Sequence, residues 1–208
     1  FCNDWPSSRP YRNRSARHIF KEIKYHLEQN RIDTFSFKDL LCNGNIKELE
    51  ELCDLISDAG LKIRWDSQAI PRKEMTYALL VKLKAAGCGT LIYGIESFSN
   101  NVLLEMKKLF TREVAERVVR DTHRAGINVM FNVIVGFPGE NEEDFKETLQ
   151  AIRRNHKVVT QIGAVSVCLA NGFADLQVNP DKYGIIIPTD PKISAKYWYS
   201  KDGVNTHE

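Results

Sequence analysis

The chain has 208 residues, 43% of them hydrophobic, with 29 Lys and Arg against 27 Asp and Glu for a net charge of +2. These values allow one sizeable core and give no compositional reason to divide the chain. They argue against a general polyanion-binding surface. No apolar run approaches the roughly 20 residues that cross a bilayer. The cysteines at 2, 42, 53, 88 and 168 are too scattered for a disulfide framework. With no basic-then-apolar leader at the start, the expectation is a soluble chain in a reduced, cytoplasmic compartment with no membrane partner.

The first chain segment carries Arg9, Arg12, Arg14 and Arg17 around Tyr11. It reads as a solvated loop and helix start, with a nucleotide or RNA phosphate contact as the alternative. A helix is expected over 15–29, where Ile19, Ile23 and Leu27 share one face. A strand follows at 34–38, then a helix with Leu49, Leu52, Cys53 and Ile56 inward, and a strand at 62–65. Next come a helix with Leu79, Leu80 and Leu83 inward and a strand at 90–95. The charge-mixed run Glu105-Met106-Lys107-Lys108 reads as solvent-facing helix, and Val114, Val118 and Val119 mark the inner face of the helix after it.

Three of these helices end in the same way, at Ala59-Gly60, Ala86-Gly87 and Ala125-Gly126. Glycine there fits the left-handed position that closes a helix. The apolar, β-branched run at 128–135 stops at Gly136-Phe137-Pro138-Gly139-Glu140, and a helix opens at Asn141. That run suits a strand covered by packing, and the two glycines let backbone come close to a bound molecule. A strand at 164–169 ends the series, and 169–208 is expected to be a partly irregular extension of a core at 1–168.

Strand starts recur roughly every 28 to 38 residues, the size of one strand-helix unit. The expected class is α/β, a partial TIM-like (β/α) barrel of parallel strands. A doubly wound sheet is the competitor, but no G-x-G-x-x-G or P-loop is present. A barrel helix needs a strand before it, so one strand is expected upstream of the first helix, leaving strand 34–38 with an open edge. Polar residues gather where the strands end: Asp39, Cys42 and Asn43, then Asp66, Ser67, Gln68 and Arg72, then Glu96 and Ser97, then the 136–140 loop. Carboxylates for hydroxyls, a guanidinium for a carboxylate and bare backbone for a flat ring suit a nucleoside-like ligand.

Three segments in this order, Phe1-Cys2, Tyr93-Gly94-Ile95-Glu96-Ser97 and Val135-Gly136-Phe137-Pro138-Gly139-Glu140, resemble the radical S-adenosylmethionine (radical SAM) superfamily. The resemblance runs from Phe1 to about Lys157. It is strongest to the branch that often carries an upstream cobalamin-binding domain, which the tail around Asn179 to Ile185 and Tyr197-Trp198-Tyr199 also resembles. It implies a [4Fe-4S] cluster held by a Cys-x-x-x-Cys-x-x-Cys loop, with Cys2 as last ligand, Phe1 as the aromatic before it, and two cysteines upstream of this sequence. It further implies SAM as cosubstrate, an external electron donor, and a 5′-deoxyadenosyl radical acting on an unidentified substrate. Whether cobalamin takes part depends on an upstream domain.

By the same resemblance, Glu96 and Ser97 bind ribose hydroxyls, and Gly136, Phe137, Pro138, Gly139 and Glu140 hold adenine. Gln68 and Arg72 reach the methionyl carboxylate or the substrate. A Gly-Gly-Glu-like segment found in relatives is replaced here by Lys38 to Gly44, which leaves Asp39 or Asn43 for the methionyl amine, and Phe98 stands where a smaller residue is frequent and would narrow the pocket. Plainer readings stand beside these. Cys2 is a lone thiol, Glu96 an ion-pair partner of a nearby Lys or Arg, and 136–140 only a strand-to-helix turn. The rival functions are a barrel lyase or aldolase working by acid-base chemistry, and a non-catalytic domain that retains the fold.

Overall fold

The computed structural model describes residues 12–190 and 196–203. Phe1 and Cys2 lie outside them. The main body runs α1 (Ala16–Asn30), β1 (Thr34–Phe37), α2 (Ile46–Asp58), β2 (Arg64–Ala69), α3 (Tyr77–Ala85), β3 (Cys88–Glu96), α4 (Asn100–Glu105), α5 (Arg112–Arg124), β4 (Asn128–Val135), α6 (Glu142–Asn155) and β5 (Gln161–Val167). All four strand pairs are parallel, and the order is sequential from β1 to β5. An unreversed order winds the helices onto one face, as in a partial barrel. The doubly wound competitor would reverse direction within the sheet. β1 and β5 are the sheet's edges.

Burial alternates along the strands. Trp65, Ser67, Ala69, Leu91, Tyr93, Ile95, Val129, Phe131 and Val133 are buried. All but Ser67 join Leu52, Ile56, Leu80, Leu83, Val118 and Val119 from the helices in the main core. Their alternates Asp66, Gln68, Thr90, Ile92, Gly94, Met130 and Asn132 are exposed or half-buried, so the other face of the sheet is open and largely polar. Trp65 Nε1 donates to Ala86 O at 2.9 Å, fastening β2 to the end of α3. At Gly87, with φ of 92°, an added Cβ would stand 2.2 Å from Ile63 O, so this turn presses backbone against backbone.

Two strand assignments needed correction. β2 begins at Arg64, not 62, and continues to Ala69. The stretch Asp66-Ser67-Gln68 hid it, since two of those side chains line the open polar face. β5 occupies 161–167 instead of 164–169. Its ladder starts with Gln161 opposite Met130, and Cys168 belongs to a second core.

That second core unites Val102, Met106, Phe137, Cys168, Ala170, Leu176, Ile185 and Trp198. Its C-terminal part is more ordered than the sequence suggested, with α7 (Asp175–Val178), a 3-10 turn at Pro180–Tyr183, and a small antiparallel pair of β6 (Ile185–Ile186) and β7 (Tyr199–Ser200). Trp198 Nε1 donates to Cys168 O at 2.9 Å. Asp175 accepts from Lys107, Lys182, Asn179 and Tyr183 Oη, tying the extension to the end of α4. These donors hold its carboxyl well below the usual range.

Candidate functional site

β3 and β4 are neighbours, and their carboxyl ends bring Glu96 beside the loop at 136–140. The β3–β4 register shifts between Gly94 and Glu96, and Glu96 has φ of 72°, inside the left-handed region. A Cβ added to Gly94 would lie 3.1 Å from Glu96 Oε1 and 3.9 Å from Lys108 Nζ. Since Tyr93 and Ile95 on either side are buried, that Cβ direction is the open face, and the Glu96 carboxylate lies over it. Lys108 Nζ is 3.6 Å from Glu96 Oε1 and donates to Gly94 O at 2.9 Å, with side chains 14% and 15% exposed. Burial raises the Glu96 carboxyl above its ordinary value, and Lys108 opposes that rise.

Lys108 is the group that pattern reading missed. The run expected to be exposed helix ends at Glu105, Met106 is buried, and Lys107 turns the chain with φ of 57°. Lys108 is thereby carried back toward β3. The ion-pair reading of Glu96 is borne out by this contact.

Beside Glu96, the 136–140 loop is braced from within. Glu140 Oε2 accepts from Gly136 N at 2.5 Å, and burial raises the Glu140 carboxyl while this bond and the Phe137 amide oppose the rise. Gly136 and Gly139 have φ of 73° and 84°, and an added Cβ on either meets nothing within 4 Å. The loop therefore offers open backbone at two points. Asn141 then caps α6, accepting from Asp144 N while Asp144 accepts from Asn141 N. The loop borders a cavity of about 290 Å³ that also touches Asn101, Glu105 and Lys182.

Several residues singled out from sequence are committed to packing. Phe137 is 1% exposed in the second core, edge-to-face with Tyr183 at 6.1 Å. Ser97 is fully buried; its Oγ meets Thr148 Oγ1 at 3.1 Å and accepts from Ser99 N at 3.1 Å. Phe98 is also fully buried, against Phe131, so it does not narrow the open face. Asn43 is buried as a two-way bridge, donating to Ile70 O at 2.8 Å and accepting from Ile70 N at 3.2 Å. Arg72 clamps the same loop through Asn43 O at 2.9 Å and Gly44 O at 3.1 Å, and it pairs with Glu74.

Gln68 stands on the open face, and Asp39 is exposed just past β1. Pro138 is buried in the loop. Among the described residues, no group of three or more His, Cys, Asp or Glu side chains could hold a metal ion. Burial pushes the Cys42 thiol up to about 11 and Cys53 to about 12. The described residues thus do not supply a ligand set for an iron-sulfur cluster, whereas the bare glycines and the carboxylate beside them fit one end of a nucleoside. No helix of the described residues is long and apolar enough to cross a membrane.

Comparison with known proteins gives a consistent picture. The family described as Radical SAM superfamily matches residues 1–152. A tRNA-2-methylthio-N(6)-dimethylallyladenosine synthase of Moorella thermoacetica is 29% identical over 157 residues, covering 69% of this chain and 34% of that protein. An uncharacterized methyltransferase of Pyrococcus horikoshii is 25% identical over 145 residues, covering 69% of this chain and 31% of that protein. The chain therefore spans about a third of the length of these relatives. Among solved structures, the methyltransferase TsrM from Kitasatospora setae, with cobalamin and a [4Fe-4S] cluster bound, aligns at TM-score 0.65 and 21% identity, covering 74% of this chain and 29% of that one. The cobalamin-dependent enzyme OxsB, with aqua-cobalamin and S-adenosylmethionine bound, aligns at 0.58 and 18%, covering 81% and 26%. These last two share the fold.

Proposed function

The chain belongs to the radical SAM superfamily, and from that premise we propose that it forms the nucleoside-binding part of an enzyme that cleaves SAM reductively. Such enzymes are driven by a [4Fe-4S] cluster, which supplies one electron to the sulfonium and yields methionine and a 5′-deoxyadenosyl radical that takes hydrogen from a substrate. In this reading Cys2 is an iron ligand, and the electron comes from an external donor. The chain's own described residues do the placing. Glu96 accepts hydrogen bonds from ribose hydroxyls, and the loop at 136–140 lays open backbone against adenine. Gln68 faces the same open surface and is the candidate for the methionyl or substrate end. Arg72 and Asn43 act at one remove, by fixing the β1–α2 loop that borders it.

One observation carries this reading: a half-buried carboxylate in a left-handed conformation stands on the strand next to a loop with two bare glycines. Backbone strain in a strand end is costly and gathers at ligand sites. The lyase alternative needs a proton-transferring Lys or His at a strand end. Lys108 approaches one, but its ammonium is paired with Glu96. A cobalamin partner and the substrate belong to the whole protein, whose relatives carry names as different as a tRNA-modifying synthase and a methyltransferase.

The test is anaerobic reconstitution of the parent protein with iron and sulfide, read by thiolate-to-iron absorbance, then SAM and a reductant. The expected products are methionine and 5′-deoxyadenosine, with absorbance and products both lost in Cys2→Ala. A wild-type protein that stays colourless and leaves SAM intact overturns the reading.

A further inference from the structure

Lys108 reaches β3 from outside the strand by a costly route. Lys107 takes φ of 57° with no glycine to ease it, and Lys108 N then donates to Leu103 O at 2.9 Å, which closes α4 and reverses the chain. The reversed chain delivers the ammonium to Gly94 O and to within 3.6 Å of Glu96 Oε1. Left-handed residues thus stand at Glu96 itself, with φ of 72°, and immediately before Lys108. A residue whose only duty was to brace α4 against β3 would be better apolar, because a half-buried ion pair is no more stabilising than packed hydrocarbon. The pair also occupies a particular spot. It sits on the polar open face over a glycine whose missing side chain leaves room for it.

We propose that Lys108 is a positioning residue for a vicinal-diol site, holding the Glu96 carboxylate ionised and outward over Gly94 so that its oxygens accept from both hydroxyls of a ribose. The assignment rests on the nucleoside reading above. Among the described residues, Lys108 is the charged group that acts on Glu96. Lys108 donates to the Gly94 carbonyl and stands 3.6 Å from one carboxylate oxygen, which holds the ammonium against the Glu96 side chain. Charge-assisted hydrogen bonds to both hydroxyls then favour ribose over 2′-deoxyribose. Without the ammonium, burial acts unopposed, the carboxyl titrates at higher pH, and a protonated acid no longer accepts both bonds.

The experiment titrates the full chain with adenosine and with 2′-deoxyadenosine between pH 5 and pH 8, followed by calorimetry or ligand-observed NMR. Wild type is expected to prefer adenosine by about tenfold, the size of one charge-assisted hydrogen bond. Lys108→Met should lose that preference, and the pH below which adenosine binding falls should move upward. Lys108→Arg should restore both, and Lys108→Met should change nothing further in a Glu96→Gln background. Gly94→Ala is the second probe, because its Cβ would crowd Glu96 Oε1 at 3.1 Å while leaving Lys108 in place. It too should erase the preference. Retention of the wild-type preference and pH profile by folded Lys108→Met, or by Gly94→Ala if the former does not fold, overturns the assignment alone. A wild type that binds neither nucleoside overturns the nucleoside reading and the assignment with it.

Discussion

Replacing Phe137 separates a packing role from a ligand-stacking role. The ring is 1% exposed and belongs to the second core, with Tyr183 edge-to-face at 6.1 Å and Val102, Met106, Cys168 and Trp198 in the same cluster. Truncation of a buried Phe to Ala costs about 3–5 kcal/mol. The lower end applies here, because the second core is small. Phe137→Leu keeps most of the volume and loses mainly the ring contact and fit, so the expected cost is about 1–2 kcal/mol. Urea unfolding gives the totals, and amide exchange over 169–190 and 196–203 should show the loss falling on the extension before the main core. Adenosine affinity is the deciding measurement. Phe137→Leu should bind within about twofold of wild type, since an aliphatic side chain of similar size preserves the loop. A Leu variant of unchanged stability that loses tenfold or more in adenosine affinity would refute the packing argument and return the ring to the adenine.

Other substitutions probe the frame around the site. Gly87→Ala should destabilise by about 2 kcal/mol or more, because left-handed strain adds to a backbone clash; thermal unfolding reads it, and a loss below half of that would contradict the close approach at Ile63. Thr148→Val removes the hydroxyl that meets Ser97 Oγ and accepts from Phe98 N, for an expected loss of about 1–3 kcal/mol with adenosine binding retained. A drop in binding at full stability would instead give Ser97 or its partner a ligand role. For Glu96 and Glu140, burial sets folded values above the ordinary 4.5. The folded chain then holds more protons than the unfolded one, so their contribution to stability falls as pH rises from just above 4.5 through those folded values. Glu140→Gln should flatten that part of the stability curve, and an unchanged curve would contradict the raised carboxyl.

What the sequence disclosed depended on how each strand is covered. β4 reads as an apolar run, and its span was recovered at both ends. β3 was nearly so, and the Gly94 and Glu96 that interrupt its apolar character are the residues of interest. β2 was displaced because its open-face residues Asp66 and Gln68 are polar, so the expected span, 62–65, fell on the approach to the strand. At the site, chain order gave the strand ends but not the side-chain directions. Ser97 and Phe137 stand in the expected loops, yet one turns under α6 and the other under Tyr183. Asn43 and Arg72, expected near a ligand, both hold the loop after β1: Asn43 bridges Ile70, and Arg72 donates to Asn43 O and Gly44 O. Lys108 had no signal, because the left-handed turn that redirects it is made by a lysine rather than by the glycine that marks such turns.

The distribution of strained residues sharpens this point. Among the described residues, four non-glycine positions have positive φ: Arg31, Glu96, Lys107 and Phe173. Arg31 and Lys107 follow helices, and Phe173 lies in an exposed turn, all places where the chain has to reverse. Glu96 is the last residue of β3, at the shift in its register with β4, and an extended residue there is cheaper by about 1–2 kcal/mol. α2, α3 and α5 end on Gly60, Gly87 and Gly126, whereas α1 closes on Arg31. At position 96 a glycine would relieve the strain but remove the carboxylate. In the reading proposed above, the side chain retained there, beside Gly94, Lys108 and the bare Gly136, serves recognition of a ligand on the open face.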